Sequence, residues 1–255
     1  MSKIKLGITG YTGRMGQAIM SEVRNFSFLA ISVALVKNSN YRSQKSIKLT
    51  SSIDELCKLS DIVVDFSSSE IFQKLITSAA KHKIALVSGT TSLKDADFTL
   101  LKRTSQKIPV LYSQNMSVGI SVLKSLIREV YLKLADKSDV KIVDMHHKNK
   151  KDTPSGTAIF LASEMLNKKK VKPYLIKRNL FEISVRPAKK ISISSVRSEA
   201  MVGQHDIIFT MENENIKISH QALNRNIFAT GALKAACWLC KQKSGLYFMQ
   251  DVLKW

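Results

Sequence analysis

Residues 144–158 read DMHHKNKKDTPSGTA, two adjacent histidines and three lysines running directly into a Pro-Ser-Gly-Thr turn. Imidazole and ammonium groups at that density, beside the N–H groups of a helix start, form a cationic pocket suited to a substrate that carries carboxylates. His146 or His147 can supply a proton near neutral pH, and Lys150 is a second candidate donor. Ser155, Gly156 and Thr157 offer backbone and hydroxyl donors to one carboxylate. A solvated basic loop ahead of a capped helix would use the same residues. Metal ligation is the weaker competitor, because only Asp144 and Asp152 stand near the histidines as further ligands; no metal is expected.

A second stretch that can do chemistry lies near the N-terminus. GITGYTGRMGQ spaces Gly10, Gly13 and Gly16 after an apolar run and before an amphipathic one. Glycines there permit a tight turn and close backbone approach to a pyrophosphate, while the following helix start attracts the anion. The strict G-x-G-x-x-G spacing is not met, since Thr12 holds the second glycine position, so an ordinary glycine turn stays open as a reading. Dinucleotide sites normally place Asp or Glu ~20 residues beyond the turn to bind the ribose hydroxyls. Here the chain runs through Val36-Lys37-Asn38, and no carboxylate occurs between Glu22 and Asp54. Lys37, helped by Arg42 or Lys45, is therefore expected to favour the 2'-phosphate of NADPH over NADH. Gly89-Thr90-Thr91 and Ser113-Gln114-Asn115-Met116 each follow an apolar run and are candidate walls for ribose and nicotinamide, although turn chemistry alone also explains them.

The elements that must position these residues follow from periodicity. Strands are expected over 3–9, 29–36, 62–66, 84–87 and 110–112, with helices after the glycine turn and over 52–59, 71–82 and 95–105. That alternation predicts a Rossmann-like, doubly wound parallel sheet. Near residue 117 the pattern changes. A long helix over 117–135 is followed by strands over 140–145, 183–185, 191–196, 206–211 and 216–220, with one clear helix, 157–167, among them. Strands without intervening helices predict a second, α+β domain with a mixed sheet. A last helix is expected over 229–241.

Composition narrows the classes. The chain has 255 residues, 44% of them hydrophobic, with three cysteines, which excludes a disulfide-framed module and a disordered chain. Its longest uncharged apolar stretch, Phe26 to Val36, is a strand candidate, well short of the ~18 residues a membrane helix needs. No export signal precedes the glycine turn, so a reducing cytoplasm is expected. A net charge of +20 raises the question of nucleic acid, but the lysines are dispersed, aromatics are few, and no zinc-finger or ribonucleoprotein spacing occurs. Neither nucleic acid nor a membrane is expected as a partner. The basic segment 168–190 is expected to be a loop and helix end. Cys237 and Cys240 have CxxC spacing but sit in an Ala-rich helical stretch, which predicts packed thiols. His82, His205 and His220 stand isolated and are expected to be structural; Arg225 suits either a site-facing role or a structural ion pair.

Taken in order, GxxGRMG at 10–16, VDFS at 64–67, SGTT at 88–91, QNMSVG at 114–119, HHxxKxDxPSGTA at 146–158, VGQH at 202–205 and GLYFMQDVL at 245–253 resemble the signature of the dihydrodipicolinate reductase family. The resemblance implies NAD(P)H-dependent reduction of 4-hydroxy-tetrahydrodipicolinate to tetrahydrodipicolinate, on the diaminopimelate route to lysine, by a cytoplasmic homotetramer. It implies a dinucleotide-binding domain of residues 1–117 and 225–255, interrupted by a substrate-binding and oligomerisation domain of residues 118–224. Carried over residue by residue, it makes His146 the proton donor or acceptor, Lys150 the second proton donor, His147 a substrate contact, and Gly156 with Thr157 the turn for a substrate carboxylate. Gly10, Tyr11, Thr12, Gly13, Arg14 and Met15, together with 89–91 and 113–116, match the dinucleotide loops. Thr12 for a glycine, Met116 for an aromatic, and Val36-Lys37 for an acidic-basic pair depart from the pattern and bear on the choice between NADH and NADPH. A dinucleotide-binding regulator and a reductase of another dicarboxylate are the alternatives. The proton donors argue against the first, and a substrate test decides the second.

Overall fold

The computed structural model describes residues 3–37, 47–91, 93–167, 173–177, 179–186, 189–199 and 201–253. The chain divides into two compact units, residues 1–118 with 225–255, and residues 119–224. In chain order the first part holds β1 (Ile4–Thr9), α1 (Arg14–Glu22), β2 (Leu29–Leu35), β3 (Lys48–Thr50), α2 (Ile53–Lys58), β4 (Ile62–Asp65) and α3 (Ser69–His82). It continues through β5 (Ala85–Ser88), α4 (Asp95–Ser105), β6 (Pro109–Tyr112) and α5 (Val118–Leu134). Then come β7 (Asp139–His147), α6 (Gly156–Met165), β8 (Tyr174–Lys177), β9 (Leu180–Arg186), β10 (Lys189–Ser198), β11 (Gly203–Thr210) and β12 (Asn215–Ala222). The chain closes with α7 (Asn226–Leu239), β13 (Gly245–Tyr247) and α8 (Met249–Val252).

In the first unit seven strands form one sheet in the order β13-β6-β5-β4-β1-β2-β3, every neighbouring pair parallel. β4 and β5 are buried at every residue, as continuous apolar strands between two helical layers must be. Leu6, Ile8, Ile62, Val64 and Val87 pack with α1 and α7 on one face, and Val33, Val63, Leu86 and Val110 with α2, α3 and α4 on the other. Ser52 caps α2 by accepting from the Glu55 N–H. Asn226 and Thr230 donate to the Glu22 carboxylate at 2.7 and 3.2 Å, so the last long helix is tied to the first. Burial raises the Cys237 and Cys240 thiols, Cys240 to about 11, which keeps both protonated and unreactive.

In the second unit six strands form a mixed sheet in the order β12-β11-β7-β10-β9-β8, with β7 and β10 parallel and the other pairs antiparallel. The stripe Ile120, Leu123, Ile127 and Tyr131 of α5 and the face Ala158, Leu161, Ala162 and Met165 of α6 cover one side of it. They meet Val140, Ile142, Ile191, Ile193, Ile207 and Phe209.

The fold class is the one expected, with three corrections of detail. Part of 168–190, read as a loop and helix end apart from a strand over 183–185, forms β8 and β9, a hairpin turning at Asn179 with φ of 60° and paired onto β10; the expected strand lies within β9. Alternate side chains of such an edge hairpin meet water, so a basic composition is compatible with strand. The rest of that segment, 168–172, 178, 187 and 188, lies outside the described residues, as do Arg42 and Lys45. β3 and β13, of three residues each, are too short to show a period, and exist because a parallel neighbour supplies their hydrogen bonds.

Candidate active site

The site in the second unit is a consequence of strand register. Across β10, β7 and β11, Ile193, Ile142 and Ile207 stand side by side on the helix-covered face. Two residues further along, the same row is Ser195, Asp144 and His205; two further still, Arg197 and His146 are paired. Period-2 alternation thus turns an apolar core into a polar end on the same face. Asp144 is fully buried, His205 nearly so, and His146 is 9% exposed.

Asp144 organises the group. His146 Nδ1 lies 2.9 Å and His205 Nε2 3.3 Å from its Oδ1. Its Oδ2 accepts from the Ser155 N–H at 2.9 Å and from Ser195 Oγ at 3.3 Å. Burial works against charge on this carboxyl, but the hydrogen bonds from His146, His205 and Ser155 outweigh it and hold Asp144 well below the usual carboxylate range. Burial lowers His205, more than the Asp144 carboxylate beside it raises it, so the imidazole is a neutral base. The Ser155 hydroxyl sits 3.2 Å from His205 Nε2 and caps α6 by accepting from the Ala158 N–H at 3.1 Å. One residue therefore joins the helix start to the buried row.

Asp144, His146 and His205 have the composition of a metal-ligand set. Their facing atoms stand 2.9 and 3.3 Å apart, and we read them as an imidazole–carboxylate–imidazole network that turns Nδ1 of the His146 ring toward Asp144 and Nε2 toward Gly203.

Gly203 is the seat of that ring. A Cβ added at Gly203 would stand 2.9 Å from His146 Nε2 and 3.1 Å from Cδ2. A Gly203→Ala variant is therefore expected to displace the imidazole, lowering kcat by about 10- to 100-fold with little change in Tm. Unchanged kcat in the variant would remove Gly203 from the site.

The other charged groups sit on the loop after β7. Lys150 Nζ pairs with Asp152 Oδ2 at 2.9 Å. Arg197 reaches the same loop from β10, Nη2 donating to the Asp152 carbonyl at 2.8 Å and to Thr153 Oγ1 at 2.9 Å. Gly156 and Thr157 open α6; the Gly156 N–H donates to Asp152 Oδ2 at 3.4 Å, and a Cβ built on Gly156 would meet nothing within 4 Å beyond its chain neighbours and its own helix. His147 is the residue the structure sets apart: as the neighbour of His146 in a strand, it faces the opposite side of β7.

In the first unit the glycine turn joins β1 to α1. Gly10 has φ of 68° and lies under the Phe66 carbonyl, and neither condition admits a side chain. Gly13 precedes α1 with no side-chain cap, and no acidic residue stands in the first helical turn, whose first residue is Arg14. An uncapped helix start of that kind fits a pyrophosphate. Thr12 and Arg14 are exposed and Met15 partly so, whereas Tyr11 and Met116 are core side chains that leave only their main chain to a ligand. Gly89 and Thr90 are buried, Thr91 is exposed, and Ser113, Gln114 and Asn115 follow β6. Lys37 is exposed just beyond β2. All of these loops follow carboxyl ends of parallel strands, the edge at which such sheets bind ligands.

Sequence reasoning missed four contributors. Asp144 entered only as a weak metal ligand, His205 as a structural histidine and a member of the VGQH stretch, Gly203 only as a member of that stretch, and Arg197 not at all. The i, i+2 spacing of Asp144 and His146 in a strand was the available signal for the first; the other three depend on which strands pair.

Residues 4–116 match the model described as dihydrodipicolinate reductase, N-terminus, and residues 119–253 the one described as dihydrodipicolinate reductase, C-terminus. The chain is 41% identical over 251 residues to a 4-hydroxy-tetrahydrodipicolinate reductase of Rickettsia rickettsii (98% of this chain, 99% of that one). It is 43% identical over 253 residues to the protein of the same name from Rickettsia canadensis (98% and 99%). In fold it is similar to a dihydrodipicolinate reductase from Paenisporosarcina sp. TG-14 solved with dipicolinate bound, with a TM-score of 0.78 at 19% identity over 98% of both chains. A scyllo-inositol dehydrogenase from Lactobacillus casei shares the fold at a TM-score of 0.70 and 11% identity, over 99% of this chain and 93% of that one. With both halves of the chain matched in order and full-length relatives above 40% identity, the chain belongs to the dihydrodipicolinate reductase family.

Proposed function

We propose that His146 and Lys150 supply the acid–base chemistry of this chain's reaction, the reduction of 4-hydroxy-tetrahydrodipicolinate to tetrahydrodipicolinate with a nicotinamide cofactor in lysine biosynthesis. The observation that carries the assignment is the buried Asp144–His146–His205 network beside a loop in which one carboxylate, Asp152, pairs with Lys150 and accepts from the first N–H of α6. When bound, the dinucleotide supplies the hydride. Gly10 to Met15, 89–91 and 113–116 hold it, the uncapped start of α1 taking its pyrophosphate. Gly156 and Thr157 at the start of α6 take one substrate carboxylate, and Lys150 serves the dicarboxylate as a charged contact; a contact from His147 would have to come from the other side of β7. Asp144 keeps His146 Nε2 available to exchange a proton with the substrate, and Lys150 Nζ is the second donor. A cationic surround stabilises the negative charge that develops on a cyclic imine as it is reduced, more in the transition state than in the ground state.

The direct test follows oxidation of NADPH by absorbance, with substrate generated in place from pyruvate and aspartate semialdehyde by the preceding synthase. Substrate-dependent turnover is expected; none with either cofactor, in folded protein, would overturn the assignment.

NADPH is the favoured cofactor. The support is Lys37, exposed beyond β2 where an acidic ribose clamp would stand, with no carboxylate nearby in sequence. Lys37→Ala is expected to raise KM for NADPH roughly fivefold and leave KM for NADH unchanged, the size appropriate to an exposed charge. Equal wild-type efficiency with NADH would overturn this reading.

We also infer a homotetramer built on the second unit. Leu175 and Ile176 on β8 and Val196 on β10 are 62%, 51% and 43% exposed, apolar side chains that a further copy of the chain would cover. Light scattering is expected to return four times 28.5 kDa, and a monomer mass would overturn the inference. Among the described residues, no helix is long and apolar enough to cross a membrane.

A further inference from the structure

Asp65 ends β4 with its side chain wholly buried. Its Oδ1 accepts from Thr9 Oγ1, from Ser67 Oγ at 2.6 Å and from the Ser67 N–H at 3.1 Å. Its Oδ2 accepts from Ser88 Oγ at 2.8 Å and Thr90 Oγ1 at 2.7 Å, and its carbonyl from the Gly89 N–H at 2.9 Å. Thr9 ends β1 and Ser88 ends β5, so one carboxylate ties together the carboxyl ends of three adjacent strands. The next residue works at the same place. The Phe66 carbonyl lies over Gly10 and its ring over Gly89, each too close to admit a Cβ on the glycine.

A packed core has no need of this arrangement, because a buried carboxylate costs desolvation that apolar side chains of the same volume avoid. Its location gives the reason. The chain runs outward from β1 to β3 on one side and from β4 to β13 on the other, so Thr9 and Asp65 flank the point where the winding reverses, and dinucleotides lie across that point. We propose that Asp65 is a positioning residue for the nicotinamide cofactor: it sets the spacing between the glycine turn and the 88–91 loop and orients Thr90 through its hydroxyl. The proposal rests on the reading of those two loops as the cofactor site.

Asp65→Asn keeps the shape but turns an amide N–H₂ toward hydroxyls that were donating. Direct titration of the full chain with NADPH is expected to show a Kd raised by roughly tenfold or more. At saturating cofactor, kcat and the KM for the dicarboxylate are expected to stay within about threefold of wild type, since neither the His146 row nor the α6 start is altered. Thr9→Val removes a single donor from β1 and is expected to weaken NADPH binding about threefold, with Thr9→Ser restoring it. If Asp65→Asn does not fold, Thr9→Val and Ser88→Ala decide the matter by the same titration.

A lowered Tm in these variants with NADPH affinity unchanged overturns the proposal in favour of a structural role. Gly13→Asp, which sets a carboxylate at the start of α1, tests the cofactor site itself. If Gly13→Asp still binds NADPH as wild type does, the reading of the loops has failed. If it loses binding while Asp65→Asn and Thr9→Val keep it, only the positioning role has failed.

Discussion

A His146→Ala, Lys150→Ala double variant is expected to lose about four orders of magnitude in kcat while remaining folded. Positioned proton donors contribute ~10²- to 10⁴-fold each, and two that serve one reaction do not simply add. The structure supports the upper part of that range for His146. Its imidazole is anchored through Nδ1 to a buried carboxylate, so little reorganisation precedes proton transfer. Lys150 is less tightly held, pairing with an Asp152 carboxylate that is itself 57% exposed, and its single variant is expected to lose less and to show a larger rise in substrate KM. Lys150 is outside the apolar core, but His146→Ala strips a partner from the buried Asp144 carboxylate, so Tm is expected to fall while circular dichroism stays that of a folded chain. Near wild-type turnover by the double variant, with substrate-dependent oxidation of NADPH as the readout, would remove both residues from the chemistry.

The second large effect belongs to Asp144→Asn. The amide has the right size but the wrong pattern of donors. One carboxylate now serves His146, His205, the Ser155 N–H and Ser195 Oγ, and an Asn with a single acceptor oxygen leaves at least one buried donor unmatched. The His146 tautomer is no longer enforced, and kcat is expected to fall about 10²-fold or more. Stability falls too, by roughly 3 kcal/mol, because removing one partner from a buried charged network strands the others.

The same residues determine how wild-type stability depends on acid. Asp144 ionises well below its unfolded value, so its contribution is fully present above about pH 4 and is lost as pH falls through the folded pKa. His205 is lowered by burial, so its protonation favours the unfolded chain, and this loss begins already as pH drops below about 6.5. Urea midpoints measured from pH 7 to pH 2 are expected to decline in wild type from the His205 end first. Asp144→Asn should start from a lower plateau and lose less below about pH 4, the decline that remains coming from Asp54, Glu55, Asp97, Asp152 and Asp206, which are also held low. A variant with wild-type midpoints and wild-type kcat would contradict the network as described.

Much of this protein is local information, and the sequence alone determined it. The glycine turn between an apolar and an amphipathic run, the apolar strands alternating with helices up to residue 112, and the capped start of α6 are set by neighbours within a few residues, so β1, α1, α4 and α6 are legible without coordinates. So is the pairing of Asp144 with His146 on one face, since residues two apart in a strand point the same way. The separation of His147 from His146 follows from the same rule.

What required the tertiary structure is whatever depends on strands finding partners distant in sequence. Of the β8–β9 hairpin the sequence showed only a strand over 183–185; the rest forms because β10 pairs with β9 and β9 with β8, a long-range condition that a lysine-rich composition does not report. His205 looked like an isolated histidine until the pairing of β11 with β7 set it opposite Asp144, and Gly203 had no assigned purpose until the same register brought its missing side chain against the His146 ring. Asp65 needed three strands side by side before its four hydroxyl partners could be seen to converge. Residue types and short spacings determined which chemistry the chain can perform. The register between strands decided which side chains meet to perform it, because cross-strand contacts join residues whose separation along the chain leaves no local periodic trace.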